Sequence, residues 1–379
     1  MRKPMNRSLA RLEPSGIRRI NALAAEHPGC IALALGEPEF DTPASVREAA
    51  KAALDRGETH YPPNNGTLDA RRAIASHMAE EEGLRFAPDE VILTDGATEA
   101  LSSTLAAMLD PGDEVIVPTP AFGLYESIVR MHHARAIPLD TTHHGFQIDA
   151  ATLRAVCSDR TKAIVICSPN NPTGCVLDAR SLDAVARMAE ETGAYVICDD
   201  VYHRLVYEEG VERFAARHPE LRAQTVIVDS FSKPWAMTGW RLGWVAADAE
   251  VLAQIAKAHQ YLVSSAVSFV MPAVQTALGI DPAPAIEVYR ARRDRVLAQL
   301  AFMGLPVVEP KGAFYAFPSI APTGLESGEF CERAIREVGV ALVPGTCFGA
   351  EGHVRLSYCV SDEDLDEGMR RLAAFVAGL

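Results

Sequence analysis

Lys233 is the residue around which this sequence organises its chemistry. It ends Ser230-Phe231-Ser232-Lys233, just after the apolar run Thr225-Val226-Ile227-Val228-Asp229, and Arg241 follows in Thr238-Gly239-Trp240-Arg241-Leu242-Gly243. An amine at the end of a buried strand, beside hydroxyls and a second cation, is placed to form a Schiff base with a carbonyl. Apolar surroundings and the neighbouring guanidinium would both lower its pKa and free its lone pair. Ser-x-Ser-Lys alone also fits an exposed loop lysine, so its partners must decide.

Those partners sit at other predicted strand ends. Asp199 closes the run Ala194–Cys198, and Tyr202 follows three residues later. A carboxylate at the carboxyl edge of an α/β sheet can hold a proton on a heterocycle nitrogen; it can equally cap a following helix, as can Asp200. Asn170-Asn171-Pro172-Thr173-Gly174 follows the strand ending at Cys167. It reads as a tight turn that brings the Asn171 amide to the same edge. Asp95-Gly96-Ala97-Thr98-Glu99 follows Val91–Thr94 and opens a helix, where small residues leave backbone N–H groups free for a phosphate. Arg355, on the apolar strand Val354–Tyr358, is suited to a bidentate pair with a carboxylate, either a ligand's or a structural acid's. Phe122 and Tyr125, after Pro118-Thr119-Pro120, offer an aromatic face for a planar group or ordinary core packing. Trp235, Trp240 and Trp244 read as core. The pairs His132-His133 and His143-His144 lack a third ligand at metal-site spacing and read as surface or loop residues.

The elements that must position these groups are visible as alternating patterns. Short apolar runs occur at Val91–Thr94, Glu114–Val117, Ala136–Leu139, Ala163–Cys167, Ala194–Cys198, Thr225–Val228 and Gly243–Ala246. Helical patterns such as Ala97–Leu109 and Leu182–Glu190 separate most of them. Continuous apolar strands between helices predict a mostly parallel sheet covered on both faces. A long helix over Ala283–Met303 should stop at Gly304-Leu305-Pro306. Strand, helix, strand and helix follow at Ala313–Phe317, Gly328–Glu337, Val354–Tyr358 and Asp362–Phe375, with Ser361 as the cap of the last. The chain is expected to form a large α/β domain over 45–280 and a smaller α+β domain from 1–44 with 281–379.

Composition narrows the function classes. A net charge of -14 argues against a nucleic-acid binder. No charge-free apolar run is long enough to span a bilayer. Arg2, Lys3, Arg7 and Arg11 are not followed by the apolar segment of a secretory signal. The eight cysteines form no C-x-x-C pair, and several lie in apolar runs, which suits reduced core residues in the cytoplasm.

In their joint order these motifs resemble the class I/II aminotransferases, the aspartate-aminotransferase-like, fold type I pyridoxal-phosphate enzymes. The match covers nearly the whole chain and adds Leu35-Gly36-Glu37-Pro38-Glu39-Phe40-Asp41-Thr42-Pro43, Tyr61-Pro62-Pro63-Asn64-Asn65-Gly66 and Gly312-Ala313-Phe314-Tyr315. The resemblance implies that Lys233 carries pyridoxal 5'-phosphate and moves the substrate α-proton. It implies that Asp199 keeps the pyridine nitrogen protonated, that Tyr202 and Asn171 bond the ring hydroxyl oxygen, and that Phe122 stacks on the ring. Ser230, Ser232, Arg241, Gly96, Ala97 and Thr98 would hold the phosphate, and Tyr61 would reach the phosphate of the neighbouring subunit in a homodimer with shared sites. Arg355, Asn171 and the Gly36 backbone would hold the substrate α-carboxylate, with Ile17, in Pro14-Ser15-Gly16-Ile17, lying over the substrate. The implied reaction moves an amino group from an amino acid to a 2-oxo acid by a ping-pong mechanism. Aspartate-preferring relatives often carry a lysine where this chain has Thr98, and others use an arginine of the partner subunit that this sequence does not locate, so neutral, aromatic or broad donors are expected. A carbon–sulfur β-lyase on the same fold shares the motifs. Some non-catalytic regulators carry a domain of this fold behind a basic DNA-binding module, which is not expected here because the family pattern starts almost at once.

Overall fold

The computed structural model describes residues 2–3, 5–6, 8–12 and 16–379. Arg7, Pro14 and Ser15, named above, lie outside the described residues. A seven-stranded sheet is the frame: β1 (Val91–Thr94), β2 (Glu114–Thr119), β3 (Arg135–Asp140), β4 (Thr161–Cys167), β5 (Tyr195–Asp199), β6 (Thr225–Ser230) and β7 (Gly243–Ala247). Its spatial order is β1-β7-β6-β5-β4-β2-β3. Every predicted apolar run became a strand, usually with an extra residue or two at one end. This is the mostly parallel, helix-covered sheet expected from the alternating pattern, and it has the large α/β layout that the family resemblance implied.

Both faces of the sheet are buried, which is why the strands lack polar alternation. Val226 and Val228 share a core with Leu101, Leu105 and Ile255 of the helices Gly96–Met108 and Ala249–Val263. Ile227, between them, joins Ile74 and Met78 of the helix Leu68–Glu82 on the other face. Helix ends follow local chemistry. Asp178 accepts from the Ser181 amide at 2.7 Å to start Ala179–Thr192, and Gly193, at φ 74°, ends it. Ser361 accepts from the Asp364 amide at 3.1 Å, as its capping pattern predicted.

Only β7 is reversed: it runs antiparallel to both β1 and β6, while the β3–β2–β4–β5–β6 pairs are parallel. The reason is the connection. Each parallel neighbour needs a crossover, but β6 and β7 are joined by the loop 231–242. Ser230, the last residue of β6, therefore pairs with Gly243, the first of β7. The reversal puts Lys233 and Arg241 at the edge where β1, β4 and β5 end.

The C-terminal part supplies a three-stranded antiparallel sheet of Val343–Pro344, Val354–Ser357 and Tyr315–Ala316. The N-terminal segment is stitched to it by a parallel pair, Ile31↔Val340 and Ala32↔Ala341. Among the described residues, no helix is long and apolar enough to cross a membrane.

Candidate active site

A cavity of about 280 Å³ opens at the carboxyl edge of the sheet, against the small sheet. Lys233, Asp199, Tyr202, Asn171, Arg241 and Arg355 all line it. So do Ala97, Thr98, Phe122, Ser230 and Ser232, with Ile17 and Gly36 arriving from the N-terminal segment. Groups more than three hundred residues apart in sequence thus meet in one chamber. Two predicted residues do not line it. Gly96 lies behind Arg241: at φ 75°, a Cβ there would stand 2.6 Å from Arg241 Nη2, so the glycine lets the guanidinium approach the helix start. Tyr61 is 90% exposed and is not part of its own chain's cavity.

Lys233 is half-buried and its Nζ donates to the Gly36 carbonyl at 2.6 Å. Burial is the main cause that brings its pKa down to about 8; Arg355 and then Arg241 add to the shift, while Cys359 and Glu37 oppose it. Sequence reasoning named Arg241 as the assisting cation. The stronger one is Arg355, delivered from a strand more than a hundred residues later.

Asp199 is 5% exposed. Its Oδ2 accepts from the Tyr125 hydroxyl at 2.5 Å, while Oδ1, also buried, has no hydrogen-bond partner among the described residues. Burial raises this carboxyl to about 7, with the Tyr125 hydroxyl pulling the other way. No helix starts at Asp199; the next begins at Phe214, so a capping role is excluded. A buried carboxylate with one oxygen satisfied and the other open is a receptor for a cationic N–H donor.

Arg355 is 2% exposed. It donates through Nη1 to Asn171 Oδ1 at 2.9 Å and through Nη2 to the Ala34 carbonyl at 2.8 Å, and its Nε has no partner. The guanidinium lies over the Tyr315 ring at 4.6 Å and the Phe348 ring at 5.0 Å. No carboxylate pairs with it among the described residues, so the structural salt bridge weighed from the sequence is not there. A buried cation without an anion is a carboxylate site.

Arg241, at φ 53°, donates to the carbonyls of Thr238 at 3.0 Å and Asp95 at 3.2 Å. It too has no acid partner among the described residues. It faces the amino end of the helix Gly96–Met108, where Ala97 and Thr98 leave backbone donors free. Tyr202 is 4% exposed and its hydroxyl shares a 2.9 Å hydrogen bond with that of Tyr315.

Sequence reasoning left Tyr125 between stacking and core; its ring is core, but its hydroxyl holds Asp199. It missed the cavity-lining role of Tyr315, although the Gly312–Tyr315 motif was in view, and it missed Cys167 entirely. The three tryptophans fit the core reading, with Trp235 and Trp244 almost fully buried and Trp240 partly so.

Comparison with known proteins agrees with this geometry. A family model described as aminotransferase class I and II matches residues 28–372. The chain is 39% identical to a probable N-acetyl-LL-diaminopimelate aminotransferase of Bacillus subtilis (strain 168), covering 98% of this chain and 95% of that protein. It is 39% identical to an aspartate aminotransferase of Pyrococcus abyssi, covering 97% of each. The solved structure of the Thermus thermophilus aspartate aminotransferase with maleate superposes with a TM-score of 0.93 at 37% identity, covering 98% of this chain and 100% of that one.

Proposed function

Given that the chain belongs to the class I and II aminotransferases, we propose that its site holds pyridoxal 5'-phosphate on Lys233 and transfers the α-amino group of neutral or aromatic amino acids to a 2-oxo acid. The observation that carries the cofactor assignment is Asp199 Oδ1, a buried carboxylate oxygen without a donor in the same cavity as a lysine with depressed pKa. A protonated pyridine nitrogen is the donor it lacks. The unpaired Arg241, the helix start at Gly96 and the hydroxyls of Ser230 and Ser232 match a phosphate dianion.

When bound, the cofactor supplies a carbonyl and an electron-poor ring that delocalises the charge developing at the substrate α-carbon. The rest is done by this chain's residues. Arg355, with Asn171, takes the α-carboxylate and fixes the α-carbon beside Lys233. With a pKa near 8, the Lys233 amine is neutral in a useful fraction at physiological pH, so it can act as nucleophile and then as base toward the α-proton. Asp199 holds its proton-bearing partner through charge, and Tyr125 keeps that carboxylate oriented. Ile17 and Phe122 narrow the chamber around the substrate. Among the described residues of this chain, its cations are Lys233, Arg241 and Arg355, each with a role already assigned. A fourth cation for a distal carboxylate would have to come from the partner subunit, and its absence from this chain's described lining residues supports neutral or aromatic donors.

The same reading includes a homodimer in which Tyr61 reaches the phosphate in its neighbour, supported by that ring's exposure. It also includes a division into 45–280 and 1–44 with 281–379, supported by the sheet memberships, and a cytoplasmic location, supported by eight unpaired cysteines.

The test is the visible absorption of the purified protein titrated with single amino acids. Bleaching of the lysine-bound cofactor band by a donor, reversed by a 2-oxo acid, is expected. Steady release of ammonia with the band retained would indicate lyase chemistry, and a protein that cannot be loaded with the cofactor would overturn the assignment.

A further inference from the structure

Behind the active site, the structure buries a cluster of charges that the reaction does not touch. His203 stands between two carboxylates from different elements. Its Nε2 meets Glu82 Oε1 at 2.7 Å, at the end of the helix Leu68–Glu82. Its Nδ1 meets Asp229 Oδ2, in β6, at 3.1 Å and the Asp200 carbonyl at 2.8 Å. Arg213 pairs with Glu82 and, at 2.7 Å, with Asp200 Oδ2. His77, itself bonded to Arg204, lies 3.8 Å from Glu82. Burial and then Arg213 oppose a charge on the imidazole, yet Asp229 and Glu82 hold its pKa up to about 9, so it is a cation at neutral pH.

Asp229 is where this cluster meets the site. It is 1% exposed and immediately precedes Ser230. Its Oδ1 accepts from the Ser230 amide at 2.6 Å, and Ser230 Oγ accepts from the Ser232 amide at 3.2 Å. The turn that delivers Ser230, Ser232 and Lys233 is therefore folded around the Asp229 carboxylate. That carboxylate's other oxygen accepts no hydrogen bond among the described residues and lies 3.1 Å from the imidazole Nδ1. The same imidazole, through the Asp200 carbonyl, touches the chain next to Asp199.

We propose that His203 is a positioning residue for the cofactor: by clamping Asp229 it sets the turn Ser230–Lys233 in the geometry that receives the phosphate, and it ties that turn to the end of β5. This rests on the reading of Ser230, Ser232 and Lys233 as the cofactor cradle. A buried carboxylate that lost the N–H group facing it would turn or take up a proton, and the Ser230 amide would lose its well-placed acceptor. The effect is on where the cradle atoms stand, not on proton transfer at the substrate.

Two substitutions separate positioning from simple space-filling. His203→Asn puts an amide N–H near the Nδ1 position and keeps the Asp229 side of the clamp. His203→Gln reaches the Nε2 position and keeps only the Glu82 side. The readouts are the dissociation constant for pyridoxal phosphate, the pH midpoint of the visible band and the melting temperature of each protein. His203→Gln should weaken cofactor binding about tenfold and move the band's midpoint, while His203→Asn stays within about threefold of the parent. Equal losses in both variants that follow melting temperature, or parent-like binding in both, would overturn the proposal. Should His203→Gln not fold, Asp229→Asn decides, because it keeps an oxygen for the Ser230 amide while replacing the acceptor that faces His203 Nδ1 by an N–H donor. The same tenfold loss is expected there, and parent-like affinity refutes the clamp. A parent protein that binds no pyridoxal phosphate would overturn the reading of the site itself, and this proposal with it.

Discussion

Replacing Asp199 with asparagine should make the cofactor-free protein more stable while crippling the loaded enzyme. Burial lifts the Asp199 carboxyl from 3.8 to about 7. A shift of roughly three units corresponds to about 4 kcal/mol at about 1.36 kcal/mol per unit. The sign follows from linkage: the folded state binds the proton more tightly than the unfolded one, so stability falls as pH rises from about 4 to about 7. Above pH 7 the full cost of a buried carboxylate without a cation is present. Asparagine has the same shape and no charge, and its oxygen can still accept from Tyr125. Its amide would bury N–H donors where Oδ1 stood, at a cost of about 1–3 kcal/mol. The net expectation at pH 8 is a gain of about 1–3 kcal/mol, disappearing or reversing near pH 4. Urea or thermal unfolding of both cofactor-free proteins across pH 4–9 measures this difference. A stability gap that does not change with pH, or an asparagine variant less stable at pH 8, would refute the idea that Asp199 is an unpaired charge awaiting a cation. In the loaded enzyme the sign inverts, since the lost charge pair should cost about 2–5 kcal/mol of cofactor binding.

Other expectations follow from the same geometry. Lys233→Ala should lower turnover by at least about 10⁴-fold, the upper range for positioned proton transfer, and single-turnover kinetics at near-normal rate would remove Lys233 from its role. Arg355→Ala should weaken amino-acid binding by about 2–5 kcal/mol without releasing the cofactor; spectral titration with donors measures both, and unchanged donor affinity would make Arg355 structural. The rate of cofactor loading should rise through pH 8 and level off by about pH 9, because the Lys233 amine must be neutral to react and its pKa is lowered from 10.5 to about 8; a rate that keeps climbing toward pH 10.5 would contradict a depressed lysine. Gly243→Ala should destabilise the protein by about 1–3 kcal/mol, because a Cβ there would sit 2.7 Å from the Asp229 carbonyl oxygen and 2.9 Å from the Gly96 carbonyl carbon; an unchanged melting temperature would show that the edge yields easily.

The strand-end residues were legible in the sequence because each follows an uninterrupted apolar run: the run marks a buried strand, and the polar residue after it marks the sheet edge. That logic located Asp199, Asn171, Lys233 and the start of the helix at Gly96. It did not reveal that β7 is reversed, because an apolar run carries no direction and the length of the loop 231–242 does not by itself distinguish a hairpin from a crossover. Tyr125 was opaque for a different reason. A buried aromatic looks like core wherever it lies, and only the packing of the helix Leu124–Met131 aims its hydroxyl at Asp199. The cluster of Glu82, His203, Arg213 and Asp229 draws on four separate segments, each with an ordinary charge pattern. Nothing local marks those side chains as neighbours.

The reversed strand has a consequence for how this protein can change. Lys233 and Arg241 sit on one loop pinned at both ends to neighbouring strands of the sheet, so the two proposed cofactor anchors are inherited as a unit. The groups lining the cavity from the other side, Ile17, Gly36 and Arg355, are borne by the N-terminal segment and the small sheet. Mutational drift in those two regions can retune the shape of the chamber without disturbing either anchor. Directed evolution toward a new amino donor should therefore concentrate its accepted changes around residues 16–37 and 345–358 and leave 230–243 nearly untouched.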